Sequence, residues 1–109
     1  VKDIYECCAI SILNDLEGHV IYLFVVSRNN KLNNDISKKI VSNFGSFALP
    51  KEIYYINELP KTRSGKILRR LLRSILIDPY SKKYGDLPTM LNSKVIQEIK
   101  KKIIYNVKN

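Results

Sequence analysis

The chain predicts an α+β fold, and three observations carry that expectation. Two β-type runs open the sequence, a helical run separates them from a third strand, and helical periodicity dominates the C-terminal half. Residues 5–13 are apolar, small or β-branched, and read as a strand. Asn14-Asp15-Leu16-Glu17-Gly18 is a polar turn. Residues 20–27 (Val-Ile-Tyr-Leu-Phe-Val-Val-Ser) are apolar on both faces, which suits a central strand. Residues 28–34 form a loop. Residues 35–44 place Ile36, Ile40, Val41 and Phe44 at helical spacing, with Lys38 and Lys39 on the other face. Gly45 is placed to end that helix, and Pro50 precedes a third strand at 52–56.

A loop at 57–65 follows, then a helix predicted over 66–77. Its apolar face is Leu68, Leu71, Leu72, Ile75 and Leu76, with Arg69, Arg70 and Arg73 opposite. Asp78-Pro79 stops it. Residues 80–92 read as irregular, with turn chemistry at Gly85-Asp86 and Pro88. Ser93 can cap a last helix over 94–104.

A length of 109 residues suits one domain with a modest core. Formal net charge is +9, which implies anionic partners such as nucleotide, coenzyme phosphate, nucleic acid or an acidic surface. Heavy use of Lys, Asn and Ile throughout is the compositional alternative. Cys7 and Cys8 are adjacent, so on a strand they point to opposite faces and cannot easily pair. Two reduced, core-packed thiols in a cytosol-like compartment are expected, cytoplasmic or nucleo-cytoplasmic. With one histidine, His19, no metal site is expected. No apolar run approaches the length of a membrane span. The absence of an initiator Met suggests a piece of something longer.

The stretch richest in chemistry is Leu59-Pro60-Lys61-Thr62-Arg63-Ser64-Gly65-Lys66, followed by Ile67-Leu68-Arg69-Arg70. Pro60 stiffens the start of the loop. Gly65 opens a backbone conformation closed to other residues. Ser64 can cap the helix that follows, leaving amides and a positive dipole end beside Lys66. Together these make an anion-handling loop. It is no P-loop, which needs Gly where Pro60 stands and Ser or Thr where Ile67 stands. A surface turn capping a basic amphipathic helix is the structural alternative.

Pro60-Lys61-Thr62-Arg63-Ser64-Gly65-Lys66 resembles the last core motif of the AMP-forming acyl-CoA synthetases, in the adenylate-forming enzyme superfamily. Other segments are similar to the C-terminal domain of acetyl-CoA synthetases. They are Glu6 to Ile10, Gly18-His19-Val20-Ile21-Tyr22, Gly45 through Pro50, and Tyr84-Gly85-Asp86 with Thr89 and Asn92. The resemblance implies that residues 1–109 are a mobile C-terminal domain, with the large N-terminal domain and the hinge outside this chain. It implies a small three-stranded, mainly antiparallel sheet flanked by helices.

It further implies acetyl-CoA synthesis from acetate, ATP and CoA through acetyl-AMP, with Mg2+ accompanying ATP in the large domain. Lys66 matches the catalytic lysine and is also the expected site of reversible acetylation, with a lysine acetyltransferase and a deacetylase as partners. Thr62, Arg63, Ser64 and Gly65 match the ATP/phosphate loop. Acetyl-CoA synthetases place an arginine near the end of the first helix to touch CoA; here Val41 stands there, and Lys38 or Lys39 is the substitute expected to contact CoA. Another acyl-CoA synthetase, acting on propionate or a longer acid, is the nearest alternative. A basic nucleic-acid-binding module is a second, resting on the charge and the arginine-rich helix. A regulatory fragment recognised at the Lys66 loop is a third.

Overall fold

The computed structural model describes residues 3–81 and 94–108, with side chains of the last helix described through Tyr105. In order they form β1 (Ile4–Asn14), β2 (Gly18–Ser27), α1 (Asn33–Phe44), a 3-10 turn (Ser46–Ala48), β3 (Glu52–Ile56), α2 (Arg69–Ile77) and α3 (Lys94–Lys108). The expected α+β class is found. The tail segment with Tyr84-Gly85-Asp86, Thr89 and Asn92, and the Ser93 cap, lie outside the described residues. The chain divides into two compact units, Val1–Tyr55 and Ile56–Asn109.

In the first unit the sheet order is β1-β2-β3, so β2 is central as its two apolar faces predict. β1 and β2 pair antiparallel from Asn14↔Gly18 to Ile4↔Ser27, with a register shift between Ile4 and Glu6. This hairpin supplies most of the pairing. β3 joins after the helical crossover through α1, and the sheet is mixed. The hairpin turn is braced by Asn14, whose Oδ1 accepts from the amides of Leu16 (2.8 Å) and Glu17 (3.1 Å).

Both faces of β2 are occupied. Phe24 is fully buried, sits opposite Cys8, and stacks on Tyr54 with ring centroids 5.3 Å apart. Val25 points the other way and packs with Leu32 and Ile36, joined by Ile4, Leu23, Ile40, Ile53 and Tyr55. The sequence placed Val41 and Phe44 on that helix face as well. They are exposed instead, at 45% and 65%. The buried stripe of α1 follows Leu32, Ile36 and Ile40 at four-residue steps, and Val41 lies about 100° further round the helix. Alternation also separates the cysteines. Cys8 is buried, whereas Cys7 is exposed rather than core-packed.

Gly45 ends α1 with φ +92°, its amide donating to the Val41 carbonyl at 3.0 Å. The start of α1 has no capping side chain of its own. The Tyr55 hydroxyl serves there, accepting from the Leu32 amide at 3.2 Å and donating to Asn33 Oδ1. Tyr54 is core and Tyr55 half-buried. Burial raises the Tyr55 pKa above 10.0, opposed by its bond with the Leu32 amide.

In the second unit, α2 buries Leu71, Leu72 and Ile75, and α3 buries Val95, Ile99 and Ile103 at four-residue spacing. The two helices pack on each other. Glu98 of α3 accepts from the Asn57 amide at 3.0 Å, just ahead of the basic motif.

The Tyr55 bond has a testable sign. A phenol whose folded pKa lies above its unfolded value contributes stability in full below the unfolded value, and loses it as pH rises through the folded one. The gap in denaturant midpoint between wild type and Tyr55→Phe is expected to hold at neutral pH and to narrow as pH rises above 10.0. A gap that widens there refutes the assignment.

Candidate functional site

The basic motif is a hairpin, not a helix start. Leu59 and Pro60 are buried and anchor it. The chain runs out through Lys61 and returns through Ile67, the two forming an antiparallel bridge. The Thr62 amide donates to the Lys66 carbonyl at 2.9 Å, the Gly65 amide to the Thr62 carbonyl at 3.0 Å, and the Leu68 amide to the Pro60 carbonyl at 2.9 Å. Arg63, Ser64 and Gly65 form the three-residue tip. Such a loop asks for a left-handed residue at its last position. Gly65 provides it, with φ +91°.

This corrects two expectations. Ser64 does not cap a helix; its Oγ lies 2.9 Å from Thr62 Oγ1 inside the turn. Nor does the helix begin at Lys66. The carbonyl of Lys66 is committed to Thr62, so helical bonding starts only where the Leu72 amide reaches the Leu68 carbonyl at 3.2 Å. α2 therefore runs from Arg69, and its start carries no side-chain cap. Lys66 stands on the return arm of the hairpin, three residues before the helix.

The structure thus brings Thr62, Arg63, Ser64, Gly65 and Lys66 into one turn. Arg63, Ser64, Gly65 and Lys66 are exposed, and Thr62 is half-buried. Among the described residues, the Lys66 ammonium has no hydrogen-bond or ion-pair partner. Lys61 is half-buried. Arg69, Arg70 and Arg73 lie on the exposed side of α2, continuing the positive surface past the hairpin. The groups that project are cationic and the hydroxyls are used internally. That arrangement can approach a polyanion and set one mobile ammonium against it.

Lys38 and Lys39 belong to the first unit, on α1, and both are exposed. Lys38 lines a shallow surface hollow of about 370 Å³ with Ser37, Val41, Ser42 and Leu49. Lys39 is not among its lining residues. His19 Nδ1 lies 3.3 Å from Ser11 Oγ across the β1–β2 pair, a local bond that suits a structural role.

The hairpin was missed at the sequence level, although a signal existed. Three residues ending in glycine between two extended arms is a hairpin pattern. Replacing Gly65 tests the geometry. A Cβ there meets nothing within 4 Å, so the cost of Gly65→Ala is backbone strain alone, about 1–2 kcal/mol. Amide hydrogen exchange at Thr62 and Gly65 is expected to speed up by about ten-fold in Gly65→Ala, and less in Gly65→Asn. Unchanged exchange in both variants refutes the hairpin.

Comparison with known proteins agrees with this architecture. A model of the AMP-binding enzyme C-terminal domain matches residues 1–66. Acetyl-coenzyme A synthetase 1 of Saccharomyces cerevisiae is 37% identical over 106 residues, covering 86% of this chain and 15% of the yeast protein. Acetyl-coenzyme A synthetase of Emericella nidulans is 34% identical over 99 residues, with the same coverage of 86% and 15%. Among solved structures, acetoacetyl-CoA synthetase from Streptomyces lividans shares the fold over 97% of this chain and 16% of its own, with TM-score 0.72 and 17% identity. The chain thus spans about one-seventh of the length of these curated relatives. The match is carried by the strands, the first helix and the hairpin up to Lys66, and on it the chain belongs to the AMP-binding enzyme C-terminal domain family.

Proposed function

We propose that this chain is the mobile C-terminal domain of an AMP-forming acetyl-CoA synthetase, and that Lys66 is its adenylation lysine. The observation that carries the reading is Lys66 itself, exposed on a hydrogen-bonded hairpin with its ammonium uncommitted among the described residues. Identity of 34–37% with acetyl-coenzyme A synthetases over most of the chain supports it.

In the proposed reaction an acetate oxygen attacks the α-phosphorus of ATP. A carboxyl–phosphate bond forms and pyrophosphate leaves. The thiolate of CoA then attacks the acyl carbon, a carbon–sulphur bond forms, and the acyl carbon–oxygen bond breaks, its electrons leaving with AMP, which keeps the bridging oxygen. The first step brings two anions together and builds charge on oxygen. A positioned ammonium offsets that repulsion and stabilises the charge as it develops. The hairpin carries Lys66 to the reacting groups when this domain closes on the large N-terminal domain, and closure excludes water. For thioester formation the domain turns a different face inward, where Lys38 or Lys39 meets CoA.

The isolated domain is inactive, because the acetate and ATP pockets belong to the large domain. That domain also sets the acyl chain, and a propionate or longer-acid enzyme would differ there. Mg2+ accompanies ATP in this chemistry, yet the hairpin has no carboxylate to offer it. Among the described residues no group of three or more His, Cys, Asp or Glu could hold a metal. The residues here do not fit that ion, and it is assigned to the large domain.

Two half-reactions of the full-length enzyme test the role. Lys66→Ala is expected to lower acetate-dependent exchange of pyrophosphate into ATP by roughly two to three decades, while supplied acetyl-AMP and CoA still give acetyl-CoA. Equal activity of the variant in both steps sinks the proposal. Acetylation of the Lys66 ammonium removes its charge. A lysine acetyltransferase acting there is therefore expected to abolish exchange and a deacetylase to restore it. Enzyme isolated from cells grown on several carbon sources, with no acetyl mass ever found at Lys66, counts against that switch.

A further inference from the structure

Lys66 is held by one residue at both ends of its peptide backbone. Its carbonyl accepts from the Thr62 amide at 2.9 Å, and its amide donates to Thr62 Oγ1 at 3.2 Å. The first bond belongs to the hairpin ladder and survives any side chain at position 62 other than proline. The second depends on a hydroxyl at that position. The three-residue tip leaves the Lys66 amide without a ladder acceptor, and the Thr62 hydroxyl fills that place. Its own proton is then free to point to Ser64 Oγ, 2.9 Å away, or that serine can donate in return. The hydroxyl is thus tied to the turn, and β-branching at Thr62 limits its χ1 freedom.

We infer that Thr62 is a positioning residue for Lys66: its hydroxyl fixes where the lysine leaves the hairpin, and so where the ammonium arrives in the adenylation step. The inference rests on the reading of Lys66 as the adenylation lysine. A lysine side chain has a long, flexible stem, and its placement begins with the direction of its Cα–Cβ bond. Loosening the backbone at that point spreads the ammonium over positions that miss the reacting oxygens. Small misplacements weigh heavily in such a step. Thr62 does not touch the substrate in this account. It acts through Lys66, and the exposed tip at Arg63 is left to meet phosphate.

The test uses full-length enzyme and the two half-reactions, with Thr62→Val, Thr62→Ser and Lys66→Ala compared with wild type. Val keeps the shape and the backbone bond but removes the acceptor; Ser keeps the acceptor. Thr62→Val is expected to lower the kcat of acetate-dependent pyrophosphate exchange by about 10-fold. KM for ATP, the rate of acetyl-AMP conversion to acetyl-CoA and the unfolding temperature should stay near wild type. Thr62→Ser is expected to restore most of the loss.

Three results overturn the inference. If Thr62→Val matches wild type in exchange while Lys66→Ala collapses it, the positioning role is wrong and the catalytic reading of Lys66 stands. If Thr62→Val depresses both half-reactions and the unfolding temperature together, the residue is merely structural. If Lys66→Ala leaves exchange intact, the reading of Lys66 falls and the inference falls with it.

Discussion

The bond from the Thr62 amide to the Lys66 carbonyl decides the local architecture of the second unit. Once it closes, Gly65 must take a positive φ, Ile67 must pair with Lys61, and no helical turn can start before Leu68. The basic residues are then divided between two supports. Arg63 and Lys66 ride on the hairpin, whereas Arg69, Arg70 and Arg73 ride on α2. Buried Leu59 and Pro60 give the hairpin its footing, and Glu98 of α3 holds the backbone at Asn57. Lys66 thus begins from hydrogen-bonded backbone although its side chain is exposed.

The strands were legible because alternation and β-branching leave little choice. β3 falls at the expected residues, and β1 and β2 extend past theirs by one or two. The central place of β2 was legible because Phe24 and Val25 need cover on opposite faces. The motif was harder. Lys66-Ile67-Leu68 has the periodicity and propensity of a helix start, and those residues read as one with α2. What overrides propensity is a pair of bonds four residues apart, and only the spacing to Gly65 hints at them. Val41 and Phe44 show the opposite failure. Helical spacing marks them as inward, but of α1 the core takes Ile36 with Ile40 packed against it.

Of the candidate site, the loop that holds the residues was readable and the hydrogen bonding within it was not. The sequence puts two hydroxyls in the loop without distinguishing them from phosphate ligands. The structure bonds the two hydroxyls to each other and Thr62 Oγ1 to the Lys66 amide, while the cationic Arg63 and Lys66 are exposed. Lys38 and Lys39 look equivalent in sequence, yet only Lys38 lines the hollow beside Val41.

The alternation of β1 also makes chemically distinct the two sulphurs that adjoin in sequence. Cys7 faces solvent and Cys8 is sealed behind the sheet. A bulky maleimide dye therefore attaches to the folded chain at one thiol, on an outer strand in the other unit from Lys66. Within this chain the strand's alternation has thus already chosen which sulphur a reagent in solution can reach.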